Sequence, residues 1–275
     1  MQSDTHYLLL NEVKALLRTQ NDEDVVADTL REMAYEVSRI VESATARRFD
    51  RWIETRIFDA RSVRNGGAVD GDVLIMHEDC QEILSVVVDG VTVESSALTL
   101  LPRNFKTHGA FIRRTDNGSW YDTSDSRDAI TVTAVWGYGG RWRNTGLTLS
   151  AGIDDSVTTL ALSGNPVLQQ EHVLKVGSEY LRVLTDPADN TSVNVERGYN
   201  GSTPASHSNG AIVTVFEADA RVRRVAKRYL QWLKALESNP LFGTVALGDM
   251  ELPVDVTQFP KDLKKLLLDL ERKGL

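Results

Sequence analysis

Ile130-Thr131-Val132-Thr133-Ala134-Val135-Trp136-Gly137-Tyr138-Gly139-Gly140 is a run of β-branched and aromatic residues stopped by glycines, the pattern of a β-strand with a turn at its end. Upstream, Trp52-Ile53-Glu54-Thr55-Arg56-Ile57-Phe58, Val73-Leu74-Ile75-Met76, Ile83-Leu84-Ser85-Val86-Val87-Val88 and Val91-Thr92-Val93 read the same way, as do Leu98 to Leu101 and Ala110-Phe111-Ile112. Asp89-Gly90 between two of these runs is a hairpin signal. Residues 52–138 are therefore expected to form a small antiparallel sheet or barrel.

Before that sheet the hydrophobic period changes to that of helices. Leu8, Leu9, Leu10, Val13, Leu16 and Leu17 predict a short buried helix. Asp22-Glu23-Asp24 favours a new helix start through the macrodipole. From there Val26, Leu30, Met33, Val37, Ile40 and Ala44 predict an amphipathic helix of about 22 residues, with Arg31, Glu32, Glu36, Arg39 and Glu42 on its other faces.

After the glycines, residues 144–216 read as a separate unit of short strands: Leu147 to Leu149, Thr159 to Leu162, His172 to Val176, Glu179 to Leu184, Ser192 to Val195 and Ile212 to Phe216. Turn residues such as Asp154-Asp155, Asn200-Gly201 and Asn209-Gly210 punctuate them. Seven acids against three bases give this unit a charge of -4, half of the chain's net -8, so an inserted acidic all-β module is expected. A second amphipathic helix then runs over 217–237, with Ala218, Val222, Val225, Ala226, Tyr229, Leu230 and Leu233 as its apolar stripe. Residues 238–256 lack periodicity and read as an extended arm; Pro260 opens a last short helix in which Leu263, Leu266, Leu267 and Leu270 share a face.

The expected fold class is α+β: helices flanking a small antiparallel sheet or barrel, an inserted all-β domain, and an extended C-terminal arm ending in a short helix. The expected domains are 1–143 with 217–237 as the core, 144–216 as the insertion, and 238–275 as the arm.

A chain of 275 residues, 41% hydrophobic and 25% charged, is of ordinary globular composition; at this length it buries roughly three quarters of its unfolded surface. Disorder and collagen-like structure are excluded. The single cysteine, Cys80, makes neither an intramolecular disulfide nor a cysteine zinc cluster, and a reducing compartment fits it. No window reaches the ~20 apolar residues of a membrane span, and Met1-Gln2-Ser3-Asp4 does not open a signal peptide, so synthesis in the cytoplasm without membrane contact is expected.

Catalytic chemistry has little support. The histidines, His6, His77, His108, His172 and His207, are scattered without ligand spacing. Asp70, Asp72, His77, Glu78 and Asp79 would offer oxygen ligands to a hard metal if brought together, but Asp70-Gly71-Asp72 is what a solvated turn looks like. The glycines at 137–140 lack the Lys-Ser/Thr of a phosphate loop. No enzyme activity, metal or cofactor is expected. The second helix carries Arg221, Arg223, Arg224, Lys227, Arg228 and Lys234, a basic face suited to DNA phosphates or an acidic protein partner, or simply to solvent.

Taken in order, several segments resemble the head-tail connector, or head-completion adaptor, family of tailed bacteriophages. They are Tyr7-Leu8-Leu9-Leu10-Asn11-Glu12-Val13-Lys14-Ala15-Leu16-Leu17, the long helix ending Ala44-Thr45-Ala46-Arg47-Arg48-Phe49, the strand ending Trp136-Gly137-Tyr138, and Phe259-Pro260-Lys261-Asp262-Leu263-Lys264-Lys265-Leu266-Leu267. The likeness covers roughly 5–143 and 217–270. The departure is the insertion at 144–216, whose Val176-Gly177-Ser178-Glu179-Tyr180-Leu181-Arg182-Val183 and Val195 to His207 resemble small β modules of other phage virion proteins.

The resemblance implies a structural protein of the virion neck, made in the host cytoplasm. It implies a ring, usually about twelvefold, that docks under the portal, extends the DNA channel and offers a surface to the tail or a stopper protein. Double-stranded DNA would pass through the lumen without sequence-specific binding. Phe259, Leu263, Leu266, Leu267 and Leu270 are then candidates for contact with portal or neighbour, and Arg221, Arg224 and Arg228 for a basic contact face. The alternative is a neck or tail module that recognises glycan or capsid protein through the insertion, with Tyr180 and Tyr199 either as contacts or, the favoured reading, as core. A metal-dependent nuclease or hydrolase on Asp70, Asp72, Glu78 and Asp79 is the third class considered.

Overall fold

The computed structural model describes residues 5–17, 24–101, 109–120, 129–164, 168–187, 191–237, 244–247 and 250–253, with 265, 267, 268 and 270. Three α-helices lie among them: α1 (Leu10–Leu17), α2 (Asp24–Thr45) and α3 (Ala220–Glu237); residues 265 and 267 are helical as well. The strands are β1 (Trp52–Phe58), β2 (Val69–Asp70), β3 (Val73–Val88), β4 (Val91–Thr92), β5 (Leu98–Leu101), β6 (Gly109–Arg114), β7 (Ile130–Trp136), β8 (Arg141–Leu149), β9 (Thr159–Ser163), β10 (Val173–Val176), β11 (Glu179–Val183), β12 (Ser192–Glu196), β13 (Ile212–Glu217), β14 (Thr244–Leu247) and β15 (Met250–Pro253). Helices and antiparallel strands thus share the chain, and six of the strands close into a barrel. The sequence pattern groups the helices with the sheet; contacts group them with the barrel, while 47–139 and 200–202 form a second compact unit.

In that second unit the sheet runs β1-β7-β3-β6-β5, with β2 and β4 paired to β3. Ile130, Val132, Ala134 and Trp136 of β7 alternate into its core beside Leu74, Met76, Val86 and Val88 of β3 and Ile112 of β6. One correction concerns β3. The residue pattern predicts two strands, Val73–Met76 and Ile83–Val88, where the protein has one of 16 residues. It pairs with β6 from Val73 and with β7 from Cys80, and its register slips between Ile75 and Cys80, between Cys80 and Glu82, and between Ile83 and Ser85. His77 takes φ 58° inside this irregular stretch. Bulged residues do not alternate, so the polar run His77 to Gln81 reads as a break although the strand continues.

The Trp136-Gly137-Tyr138 ending has a structural reason. Trp136 is fully buried and its indole N–H donates to the Glu54 carbonyl at 2.9 Å. At Gly137, with φ 117°, a Cβ would lie 1.9 Å from the Asp50 carbonyl oxygen, so only glycine lets the two backbones meet. Tyr138 donates its N–H to the Arg48 carbonyl at 2.8 Å, sits edge-on to Phe49, and has the Arg47 guanidinium 4.0 Å from its ring centroid.

The barrel closes in the order β10-β11-β12-β9-β8-β13. Alternate residues fill it, among them Leu147, Leu160, Leu174, Leu181, Val193 and Val213. It starts at Arg141, ahead of the expected boundary at 144, because β8 pairs with β13 from Arg141↔Glu217 onward.

In α2 the buried face is Ala27, Leu30, Ala34, Val37 and Val41, with Ser38 and Thr45. Of the expected stripe, Leu30 and Val37 belong to it, Met33 and Ile40 are half-buried and Ala44 is exposed, while the Val26 side chain lies outside those described. Hydroxyls make the difference. Ser38 donates to the Ala34 carbonyl at 2.7 Å and accepts from the Tyr7 N–H at 3.0 Å, and Thr45 donates to the Val41 carbonyl at 2.8 Å, so both enter the packed face satisfied. The region expected to be an extended arm contains the antiparallel β14–β15 hairpin, with Leu247 opposite Met250.

Candidate assembly surface

The basic residues of α3 divide by helical position. Arg223, Lys227 and Lys234 turn to α1: Lys227 reaches the Glu12 carboxylate at 2.8 Å, Arg223 bonds Glu12 and also Glu217, and Lys234 donates to the Leu17 carbonyl. Burial alone would raise the Glu12 carboxyl, but the bonds from Lys227 and Arg223 hold it below the ordinary carboxylate value. These cations serve the packing of the helices. Arg221, Arg224 and Arg228 lie on another side of the helix and are exposed. Arg221 pairs with Asp219 at 2.9 Å, whereas Arg224 and Arg228 have no ion-pair partner among the described residues. Of the six basic residues seen in the sequence, these two are the ones left open to another molecule.

Of the C-terminal residues expected to contact a portal or neighbour, Leu267 and Leu270 are among the described residues. Phe259, Leu263 and Leu266 lie outside the described residues. Leu267 and Leu270 are 3% and 0% exposed in the single chain, while Leu268 is 49% exposed. An apolar helix face is useless to a monomer only if nothing in the monomer covers it, and here the chain itself covers these two.

Three of the carboxylates considered for a metal are taken by arginines. Asp72 pairs with Arg113 at 3.0 Å, Glu78 with Arg56 at 2.7 Å and Asp79 with Arg47 at 3.5 Å. Asp70 and His77 are exposed. Among the described residues no group of three or more His, Cys, Asp or Glu side chains converges on a metal position.

The barrel holds a charged network that the sequence pattern does not reveal. Glu179 is fully buried and accepts from Arg197 at 2.6 Å, from the Gly198 and Ala205 N–H groups, and lies 2.8 Å from His207 Nε2. Arg197 also donates to the carbonyls of Asp154, Val157 and Ala205. Burial works against the Glu179 charge, yet Arg197, His207 and the backbone donors hold its carboxyl below the ordinary value. With both carboxylate oxygens partnered, this network pins the loop from Arg197 to His207. Tyr180 and Tyr199, weighed as contacts for an outside ligand, are buried: Tyr180 packs against Trp142 at 5.0 Å, and the Tyr199 hydroxyl lies 3.2 Å from Thr5 Oγ1.

Between the α1 region and the barrel is a cleft of about 300 Å³, lined by Tyr7, Glu12, Arg143, His172, Phe216 and Arg223 among others. His172 Nδ1 accepts the Gln169 N–H at 2.9 Å; burial, assisted by Arg143, pushes this imidazole down to about 4, so it is neutral near pH 7.

No known protein family matches the chain, and a search of the curated proteins finds no relative.

Proposed function

We propose that this chain is a head-to-tail adaptor of a tailed bacteriophage. In this reading it forms a ring beneath the portal, extends the DNA channel and presents the docking surface for a tail or stopper protein. The role is mechanical, and the α+β architecture with helices flanking the sheet, the barrel as an insertion and 238–275 as an arm is part of the same proposal. The protein would reside in the virion neck, with double-stranded DNA passing through without base-specific contact.

The observation that carries the reading is that two segments of the resemblance, far apart in sequence, are partners in space. Arg47-Arg48-Phe49 and Trp136-Gly137-Tyr138 meet through the Tyr138 N–H to Arg48 carbonyl bond, the Phe49–Tyr138 ring pair and the Arg47 guanidinium over Tyr138. Their contact places both stretches in one piece of folded structure, which supports reading them as parts of a single motif. The exposed Arg221, Arg224 and Arg228 add a surface for a partner.

The test is co-assembly of the purified full chain with the portal ring of the same phage, read by gel filtration with light scattering and by negative-stain imaging. A ring stacked coaxially on the portal is expected. Absence of any complex at micromolar concentrations of both proteins overturns the reading.

A further inference from the structure

The helices carry two exposed stripes of opposite charge. On α2, Asp28, Glu32 and Glu36 are exposed and fall within about 80° of one another at 100° per residue. They lie opposite the buried face of Leu30, Ala34, Val37 and Val41. On α3, Arg221, Arg224 and Arg228 occupy about 60°. The cations near the acidic stripe are already engaged: Arg31 pairs with Asp28 at 2.8 Å, and Arg39 folds onto Glu42 at 2.9 Å and the Thr5 carbonyl at 3.0 Å. Among the described residues Glu32 and Glu36 have no ion-pair partner, and neither have Arg224 and Arg228. No ion pair joins the two sets within the described molecule, although α2 and α3 pack together.

We infer that a second copy of this chain is the occupant of both stripes, with Arg224 and Arg228 of one copy set against Glu32 and Glu36 of the next. The spacing agrees. Each pair is i, i+4, one helical turn or about 6 Å along its axis, so two helices laid side by side bring both pairs into register. A contact between two different surfaces of identical subunits is heterologous: it closes into a ring where the rotation between neighbours allows and runs on as an open filament where it does not, so a ring requires a contact of this kind. Single exposed pairs are weak, but complementary rows fix register and exclude like-charged approaches. This inference rests on the adaptor reading for its biological purpose and not for its test.

The experiment uses the full chain and its variants in sedimentation velocity over a range of concentrations, in NaCl at about 50 mM and about 500 mM, ionic strengths that screen weakly and strongly. Arg224→Glu/Arg228→Glu sets acid against acid, and Glu32→Arg/Glu36→Arg sets base against base; each is expected to weaken self-association about a hundredfold, since apposed like charges oppose the contact strongly. The chain carrying all four changes restores opposite charges and should associate like the original, as should a mixture of the two double variants. Higher salt should weaken the original and the restored chain alike. Glu32→Gln/Glu36→Gln, which introduces no repulsion, should show a smaller loss. Self-association unchanged in both double variants, no restoration in the fourfold variant, a strict monomer at low salt, or a species that stops at the dimer each overturns the inference. Portal binding is not read here, so a failed adaptor reading and a failed contact give different results.

Discussion

The barrel and the helices handle charge in opposite ways. In the barrel, Glu179, Arg197 and His207 are drawn inside and both oxygens of the carboxylate are met by donors. On α2 and α3, Glu32, Glu36, Arg224 and Arg228 stand in solvent, with no ion-pair partner among the described residues of their own chain. A satisfied buried network defines one arrangement of a loop, and its removal is felt in folding. Open surface charge contributes little to folding and is felt only when a partner arrives. The difference separates residues that build the fold from residues that stand open on its surface.

The contrast breaks most visibly at Glu179. Glu179→Ala leaves Arg197 buried without its carboxylate and is expected to cost about 3–5 kcal/mol, seen as a lower thermal midpoint of the full chain. If the midpoint does not move, the network is not structural. Because the folded-state carboxyl lies below its ordinary 4.5, its contribution is present above that value and is lost as pH falls through the folded one; the wild-type midpoint should drop there more than that of Glu179→Ala.

A smaller effect belongs to the cations of α3 that are engaged within the chain. Glu12→Gln weakens charge-assisted bonds from Lys227 and Arg223 and should cost about 1.5–3 kcal/mol in urea unfolding. His172 adds a pH dependence of its own. Its imidazole falls from 6.5 to about 4, so the unfolded chain binds more protons between those values, and stability falls as pH is lowered from 6.5 toward 4. An NMR titration that finds His172 near 6.5 would contradict this.

The smallest effect on stability is the most informative. Arg224→Glu/Arg228→Glu should leave the stability of the folded chain within about 0.5 kcal/mol of wild type while weakening self-association about a hundredfold. A large loss of stability would show that these arginines hold the subunit together.

Much of this is legible in the sequence. The barrel strands can be read because Leu and Val recur at turn-bounded intervals, and Trp52–Phe58, Leu98–Leu101 and Ile130–Trp136 are observed at their expected bounds. β3 is not legible, since its bulges break the period at His77 to Gln81 while the backbone keeps pairing. The face of α2 is obscured because Ala34, Ser38 and Thr45 look neutral or polar until the hydroxyl bonds to the preceding turn are known. On α3 the basic character is plain, but which cations are engaged is not: the carboxylate that takes Arg223 is 211 residues away in sequence. Glu179, at the start of an expected strand, and Arg197 and His207, in a polar stretch, each look like surface residues until the barrel closes.

The most direct measurement is native mass spectrometry of the full chain over a range of concentrations at low salt, with the Arg224→Glu/Arg228→Glu variant beside it. One closed species of about a dozen copies for the wild type, absent in the variant, is the expected result. A wild type that stays monomeric throughout, or a variant that forms the same ring, would contradict the account.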